Sequence, residues 1–534
     1  MKTGFTSHRP VVMGTNWMIT SGHPLASHAG AAVLEKGGNA IDAAIAANAV
    51  LCVVRPHMCG IGGDAFLILY LAKKKKVKVL NASGRSPYGA TRDFFVKKGL
   101  KKIPDKGILT STVPGAVDGW ATALQEHGTL PLADLLKKAI GYAEKGFPVY
   151  RELNQVIQTE SALLKKSSDA ERIFFKNDRP PEVGELLVQP ELAESLKKIA
   201  QGGRDVFYKG PIGKALVKFS REQEGLFTEK DLEEHHSTWV EPAETNYKGY
   251  RVCVVPPNSQ GVALLMQLNI LENFDLVKLG HNTADYVHLL VEAKKLSFAD
   301  RDRYICDPDF HGVPVGKMIA KSHAKKQASR IDFSRTALSI SPTEFSSTGE
   351  DTVYLSVVDK DGNAVSMIQS LYEAFGSGVI VKGTGILLHN RGKDFSFDPE
   401  HPNGIEPHKR PYHTLCPCMI LKDDRPSMVL GTPGADGQTQ TLVQVIANIV
   451  DFGADIQEAV ESPRWRSNPG NQLVIEGRFP PAVLEGLRAK GHLVEPLANW
   501  SSLCGGAQGI LIERDHGSLL GGADPRRQDY VIGS

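Results

Sequence analysis

Residues 335–351, RTALSISPTEFSSTGED, break the patterning of this chain, and a sharply alternating segment begins directly after them. The break is rich in Ser and Thr, contains Pro342 and lacks an apolar period, which is the composition of a loop or linker. TVYLSVVD then alternates from Thr352 to Asp359. DKDGNAV supplies a turn with Asp361-Gly362 at its tip, and a second strand is predicted from about Ala364 to Phe375. A flexible segment thus ends where a strand begins at a threonine.

The rest of the chain reads as strands and helices in groups. Residues 27–52 are Ala-rich with apolar residues at helical spacing, predicting a helix to about Lys36 and a break at Gly37-Gly38. A buried helix follows from Asn39, a plausible N-cap. AFLILYL (65–71) and VKVL (77–80) read as paired strands around a solvated lysine turn, Lys73 to Lys76. Residues 115–235 read as mainly helical. A strand is predicted at Tyr250 to Val255, and helices at 261–273 and 283–300. Further on come a Pro-rich loop (396–411), a strand at Met428 to Leu430, a Gly-rich turn GTPGADG and a helix from about Thr439 to Phe452. This grouping predicts a layered α+β architecture.

Composition excludes several classes. The net charge of +2 gives no reason to expect nucleic acid or an anionic membrane as partner. No apolar stretch reaches the roughly 18 residues of a membrane span, and the N-terminus lacks the form of a signal peptide. The seven cysteines are scattered and odd in number, which fits a reducing compartment better than a disulfide framework. The expected location is therefore the cytoplasm. Cys416 and Cys418 are too close for the usual metal or redox spacing, so no metal and no cofactor is expected.

Familiar catalytic motifs are missing: there is no G-x-S-x-G, H-E-x-x-H or Walker A sequence. Gly60, Gly62 and Ala65 match G-x-G-x-x-A, but a helix precedes them and a strand follows, the reverse of a dinucleotide site. His57 and Cys59 read as packed loop residues rather than a reactive pair. Spacing alone does not nominate Thr352, since a threonine opening a strand is ordinarily a β-former.

Five ordered blocks change that. GGNAIDAAIAANAVLCVVRPHMCGIGGDAFLILY (37–70), TSTVPGAVDGW (110–120) and HNTADYVHLLVEAKKLSFADR (281–301) resemble signatures of the γ-glutamyltransferase family of N-terminal nucleophile hydrolases. DTVYLSVVDKDGNAVSMIQSLYEAFGSGV with TGILLHNRGKDFS (351–396) resembles the family's nucleophile region, and MVLGTPGADGQTQT (428–441) its oxyanion turn. Together they span most of the chain, from about residue 20 to 465. The string NRGKDFSFDPEHPN is closer to cephalosporin acylase-like, glutathione hydrolase-like or oxamate amidohydrolase-like members.

The resemblance implies an αββα four-layer sandwich and a precursor cut at Asp351–Thr352. Residues 1–351 would form a large subunit and 352–534 a small one, interleaved in one domain. Cleavage would free the α-amino group of Thr352, whose reference pKa of about 7.7–8.0 suits a general base. Nucleophile and base would then belong to one residue. By the same resemblance Ser370 bonds the nucleophile. Gly434 and Ala435 present oxyanion-binding N–H groups, and alanine keeps that role if its φ stays negative. Asp394 matches the acid that binds a substrate α-amino group. Several pocket positions depart from the γ-glutamyl pattern: Arg391 replaces a polar amide, Tyr372 an asparagine, and His413-Thr414 a Ser-Ser pair. The family's carboxylate-binding arginine is displaced to Arg85, with Ser83 nearer the usual place, so Arg85 or Arg391 is the candidate clamp for an acidic acyl group.

The function expected is a self-processing amidohydrolase acting on γ-glutamyl or similar acidic acyl amides, with acyl transfer open. An oxamate-type hydrolase with a shallow pocket closed near Arg391 and Tyr372 is the alternative, and an inactive homologue with a binding role is the rival from another class. The partners expected are a small-molecule amide and the two subunits of one precursor, with a homodimer of processed heterodimers left open.

Overall fold

The computed structural model describes residues 7–337 and the chain from 351 onward, so most of the linker, residues 338–350, lies outside the described residues. Two seven-stranded sheets face each other. The first runs, in spatial order, Tyr530–Gly533, Met18–Ser21, Asp351–Val358, Ala364–Tyr372, Asp64–Leu71, Lys76–Ala82 and Thr238–Val240. The second runs Val12–Gly14, Ser518–Ala523, Gln508–Glu513, Arg425–Gly431, Cys418–Lys422, Tyr250–Val254 and Ala243–Tyr247. Every pairing within these two sheets is antiparallel.

Three apolar layers follow from strand alternation. On the Thr352 strand, Val353, Leu355 and Val357 face outward and pack with the helices Pro24–Glu35 and Ala40–Val54. Tyr354 and Val358 face inward, toward Met419, Val429 and Ile510 of the other sheet. Val252, Ile420 and Leu430 pack outward onto the helices Gly261–Leu271, Ala284–Tyr304 and Gly437–Val450. Helix, sheet, sheet and helix are thus stacked, the αββα sandwich. Burial on both faces explains why AFLILYL is a continuous apolar run rather than an alternating one.

Local expectations hold with small shifts. Asn39 caps Ala40–Val54 in a reciprocal box with Asp42, and every residue of that helix is buried. The lysine turn joins Asp64–Leu71 to Lys76–Ala82, with Lys75 at φ 50°. Helix Gly437–Val450 starts two residues before the predicted Thr439. The strand predicted to reach Phe375 stops at Tyr372, whose φ of 85° turns the chain out of the sheet. All seven cysteines are buried and free. No described helix is long and apolar enough to cross a membrane.

Tyr354 of one sheet packs against the end of the Arg425–Gly431 strand of the other. A Cβ on Gly431 would lie 2.1 Å from the Tyr354 ring, and the ring's hydroxyl is held 2.8 Å from Ser366 Oγ. Gly431→Ala is expected to destabilise the protein by roughly 1–3 kcal/mol through overpacking. Calorimetric Tm is the measurement, and an unchanged Tm would show that the ring has room to move.

Candidate active site

Thr352 lies at an irregularity in its sheet. Asp351 pairs with Tyr372 but Val353 pairs with Gln369, so the partner strand carries one extra residue at this point. Such a bulge re-aims side chains. Beside it, Thr352 Oγ1 donates to Ser370 Oγ at 3.1 Å, and Ser370 Oγ accepts the Tyr372 N–H at 2.7 Å. Thr352 is only 2% exposed.

The turn after the Arg425–Gly431 strand carries Gly434 at φ 128° and Ala435 at φ 44°. The expectation that Ala435 keeps a negative φ is not met. A left-handed alanine costs on the order of 1 kcal/mol and persists only where its surroundings hold it. Gln260 does so: its Nε2 donates to the Ala435 carbonyl at 2.9 Å and to the Thr414 carbonyl at 2.6 Å. Its Oε1 accepts from Arg301 Nη1 at 3.0 Å and from the Tyr412 hydroxyl at 3.1 Å. Arg301 also donates to Asp436 Oδ1 at 2.8 Å. Among the described residues, the N–H groups of Gly434 and Ala435 donate to no acceptor, which leaves them available to an oxyanion.

A cavity of about 480 Å³ opens beside these elements. Tyr372, Asp394, Thr414 and Asp436 line it, together with Phe397, His401 and Asn403 of the Pro-rich loop. Tyr372 donates its hydroxyl to Asp394 Oδ1 at 2.6 Å. Arg391 donates through Nη1 to Asp394 Oδ2 at 3.2 Å and to Thr414 Oγ1 at 3.0 Å. Its guanidinium lies 3.8 Å from the Tyr372 ring centroid, a stacked cation–π contact. Burial pushes the Asp394 carboxyl up to about 6, against the pull of Arg391 and the Tyr372 hydroxyl.

The other residues singled out by sequence are placed differently. Arg85 is not among the cavity-lining residues; it is paired with Asp307 at 3.0 Å and with Asp309. Arg391 is 1% exposed and sits under Tyr372 rather than on the cavity wall. Neither is therefore a ready clamp for an acyl carboxylate. The His413 ring is buried away from the cavity, its Nδ1 accepting the Leu415 N–H and its Nε2 3.4 Å from Asp64 Oδ2. Burial and Arg391 lower its pKa to about 3, so the ring is neutral. His57 and Cys59 are buried among Glu152, Arg55 and Cys52, as packed loop residues are. One described trio, His288, Glu292 and His492, has metal-ligand spacing, but Glu292 is already held by Lys295, Thr336 and the Ala337 N–H.

Four residues of the brace behind the turn escaped the sequence reading: Gln260, Arg301, Tyr412 and Asp436. Arg301 closes the 281–301 block and Asp436 follows the Gly434-Ala435 pair, so a signal was present for both. Gln260 ends a short polar run, Asn258-Ser259-Gln260, ahead of an apolar helix, and nothing in the sequence marks it.

A threonine opening a central strand of an αββα sandwich, a neighbouring hydroxyl, and a turn with two available N–H groups define an N-terminal nucleophile hydrolase. The chain belongs to the γ-glutamyltranspeptidase family, whose profile, described as Gamma-glutamyltranspeptidase, matches residues 26–534. It is 43% identical over 528 residues to the glutathione hydrolase-like YwrD proenzyme of Bacillus subtilis (strain 168), covering 98% of this chain and 99% of that protein. It is 37% identical over 532 residues to the acylase ACY 1 proenzyme of Pseudomonas sp. (strain SE83), with 97% and 94% covered. The crystal structure of cephalosporin acylase from Bacillus halodurans superposes with a TM-score of 0.93 at 36% identity, covering 99% of this chain and 98% of that one. The chain is accordingly an enzyme, a self-processing amidohydrolase of this family.

Replacing Gln260 by alanine releases the Ala435 and Thr414 carbonyls together. Steady-state kinetics on an amide substrate should show kcat lower by roughly tenfold, the worth of one or two lost hydrogen bonds, with KM little changed. An unaltered kcat would mean that the turn holds itself.

Proposed function

We propose that the chain cuts itself between Asp351 and Thr352 and then hydrolyses amides of γ-glutamyl or similar acidic acyl groups. The observation that carries this reading is the 3.1 Å hydrogen bond from Thr352 Oγ1 to Ser370 Oγ, made at a bulge and next to a turn with two available N–H groups. In the proposed cycle Thr352 Oγ attacks the amide carbonyl while its freed α-amino group takes the proton. Ser370 orients the hydroxyl, and Gly434 and Ala435 receive the oxyanion. Water, or an acceptor amine, releases the acyl group. Residues 1–351 and 352–534 are the proposed subunits, and the cytoplasm is the proposed location. Similarity to proteins described as glutathione hydrolase-like and as cephalosporin acylase supports amides of glutathione-like or glutaryl-cephalosporin-like form. The cavity of about 480 Å³ beside Tyr372 favours these over a very small oxamate-type substrate.

Denaturing mass spectrometry of the purified protein beside Thr352→Ala tests the reading. The 58.0 kDa chain should give fragments of roughly 38 and 20 kDa, the smaller starting at Thr352, and the variant should give neither. A chain that stays intact through long incubation would overturn the assignment of Thr352. For the processed enzyme, kcat/KM should rise with pH as the Thr352 amine loses its proton, with an apparent pKa of about 7.7–8.0. A profile flat from pH 6 to 9, on the order of that window, would exclude the α-amino group as base.

A further inference from the structure

Behind Ser370 the structure gathers three buried polar atoms that no protein group satisfies. Asp64 is the ladder partner of Ser370, and its Oδ1 accepts the Gly84 N–H at 3.0 Å and the Gly115 N–H at 3.3 Å. Among the described residues its Oδ2 makes no hydrogen bond, and neither do His413 Nε2 and Arg391 Nη2. All three residues are at most 1% exposed. His413 Nε2 lies 3.4 Å from Asp64 Oδ2 without the alignment of a hydrogen bond. Arg391 binds Thr414, the chain neighbour of His413, through Nη1. Burial pushes the Asp64 carboxyl up, but His389, His413 and Arg391 outweigh it and hold the group at about 2. Unpaired polar atoms are costly where water is excluded, so the three call for a common partner.

The hydrogens decide what that partner is. His413 Nδ1 accepts the Leu415 N–H, so the proton of the neutral ring is on Nε2. The cluster therefore offers two donors, His413 Nε2–H and Arg391 Nη2–H, and one acceptor, Asp64 Oδ2. A cation would meet the Arg391 charge with a single oxygen to hold it, and an anion would meet Asp64. A molecule that accepts two hydrogen bonds and donates one fits, and a buried water typically makes about three. We infer that Asp64, His413 and Arg391 hold a buried water, and that through it Asp64 acts as a positioning residue for Arg391. Arg391 then joins two carboxylates, Asp394 directly and Asp64 through the water. Their roles differ. Asp394 titrates at about 6, and Asp64 stays ionised throughout that titration. The fixed charge keeps Arg391 in place beneath Tyr372 when Asp394 takes up a proton. The other charged or titratable groups that act on the two carboxylates are Tyr372, Lys393, Asp436 and His389. The inference holds whichever amide the enzyme cleaves.

A crystal structure of the full chain at about 1.5 Å resolution should show a water within about 3.2 Å of Asp64 Oδ2, His413 Nε2 and Arg391 Nη2. A peak that misses any of the three, or side chains paired directly with no water between them, overturns the site. The role of Asp64 is read from the Asp394 ionisation, followed by carbon-13 carboxylate NMR and assigned by its loss in Asp394→Asn. In Asp64→Asn the Asp394 pKa should fall by about one unit, because Arg391 is left with Asp394 as its only carboxylate. An unmoved pKa overturns the positioning role, whatever happens to Tm. His413→Phe changes no charge and removes one donor to the water, so it should lower the Asp394 pKa by a smaller step. No shift in that variant would mean that Asp64 acts through space alone, and the water link would fall. The crystal structure of the unaltered chain and His413→Phe decide the matter if Asp64→Asn does not fold.

Discussion

The hydrogen bond from Thr352 to Ser370, made where the Ala364–Tyr372 strand carries one extra residue, anchors the candidate site. The register of the inner pairs, with Val353 against Gln369, already sets Thr352 beside Ser370, and the extra residue falls directly after that point. The two hydroxyls meet there, and the Ala364–Tyr372 strand then leaves the sheet at Tyr372, whose positive φ carries it toward Asn390. The proposed nucleophile, its hydrogen-bond partner and Tyr372 of the cavity wall therefore lie within one short stretch of paired strand. It can be held so firmly because strands flank it on both sides and apolar layers cover both faces, so no alternative register keeps the core filled.

The brace formed by Gln260, Arg301, Tyr412 and Asp436 has a second consequence. Gln260 and Arg301 precede the proposed cleavage point, whereas Tyr412, Thr414, Ala435 and Asp436 follow it. Hydrogen bonds across that divide, with the strand pairing of Asp351–Val358 to Met18–Ser21, tie the two parts of the chain through buried contacts. Cutting the peptide bond before Thr352 would leave these contacts in place, because none of them depends on the linker. On the proposed maturation the chain would lose one covalent bond and keep these contacts.

Much of the fold was legible because its signals are local. Asn39 caps a helix because its side chain competes for the first free N–H groups. Asp361-Gly362 turns a hairpin because glycine accepts a positive φ, here 80°. Gly434 announced an unusual turn for the same reason. The misreadings concern which partner a side chain or turn finds once the chain is packed. Arg85 looked like a carboxylate clamp, but Asp307 and Asp309, more than two hundred positions away, hold it. Arg391 looked like a pocket wall and proved to be the counter-ion of Asp394 beneath Tyr372. Ala435 was expected at negative φ, and only Gln260, reaching from another element, makes the left-handed turn tenable.

By itself the sequence determined the layered α+β architecture, the hairpin that opens at Thr352, and, by family resemblance, the residues around which the chemistry is built. These depend on periodicity, turn chemistry and residue identity, which are properties of short stretches. The tertiary structure alone decided which charges are available to a ligand. A carboxylate three residues from an arginine can face solvent, substrate or that arginine, and only packing selects among them. Here packing places Arg391 and Tyr372 on Asp394, so the charge that the sequence offers for recognition is already balanced inside the protein.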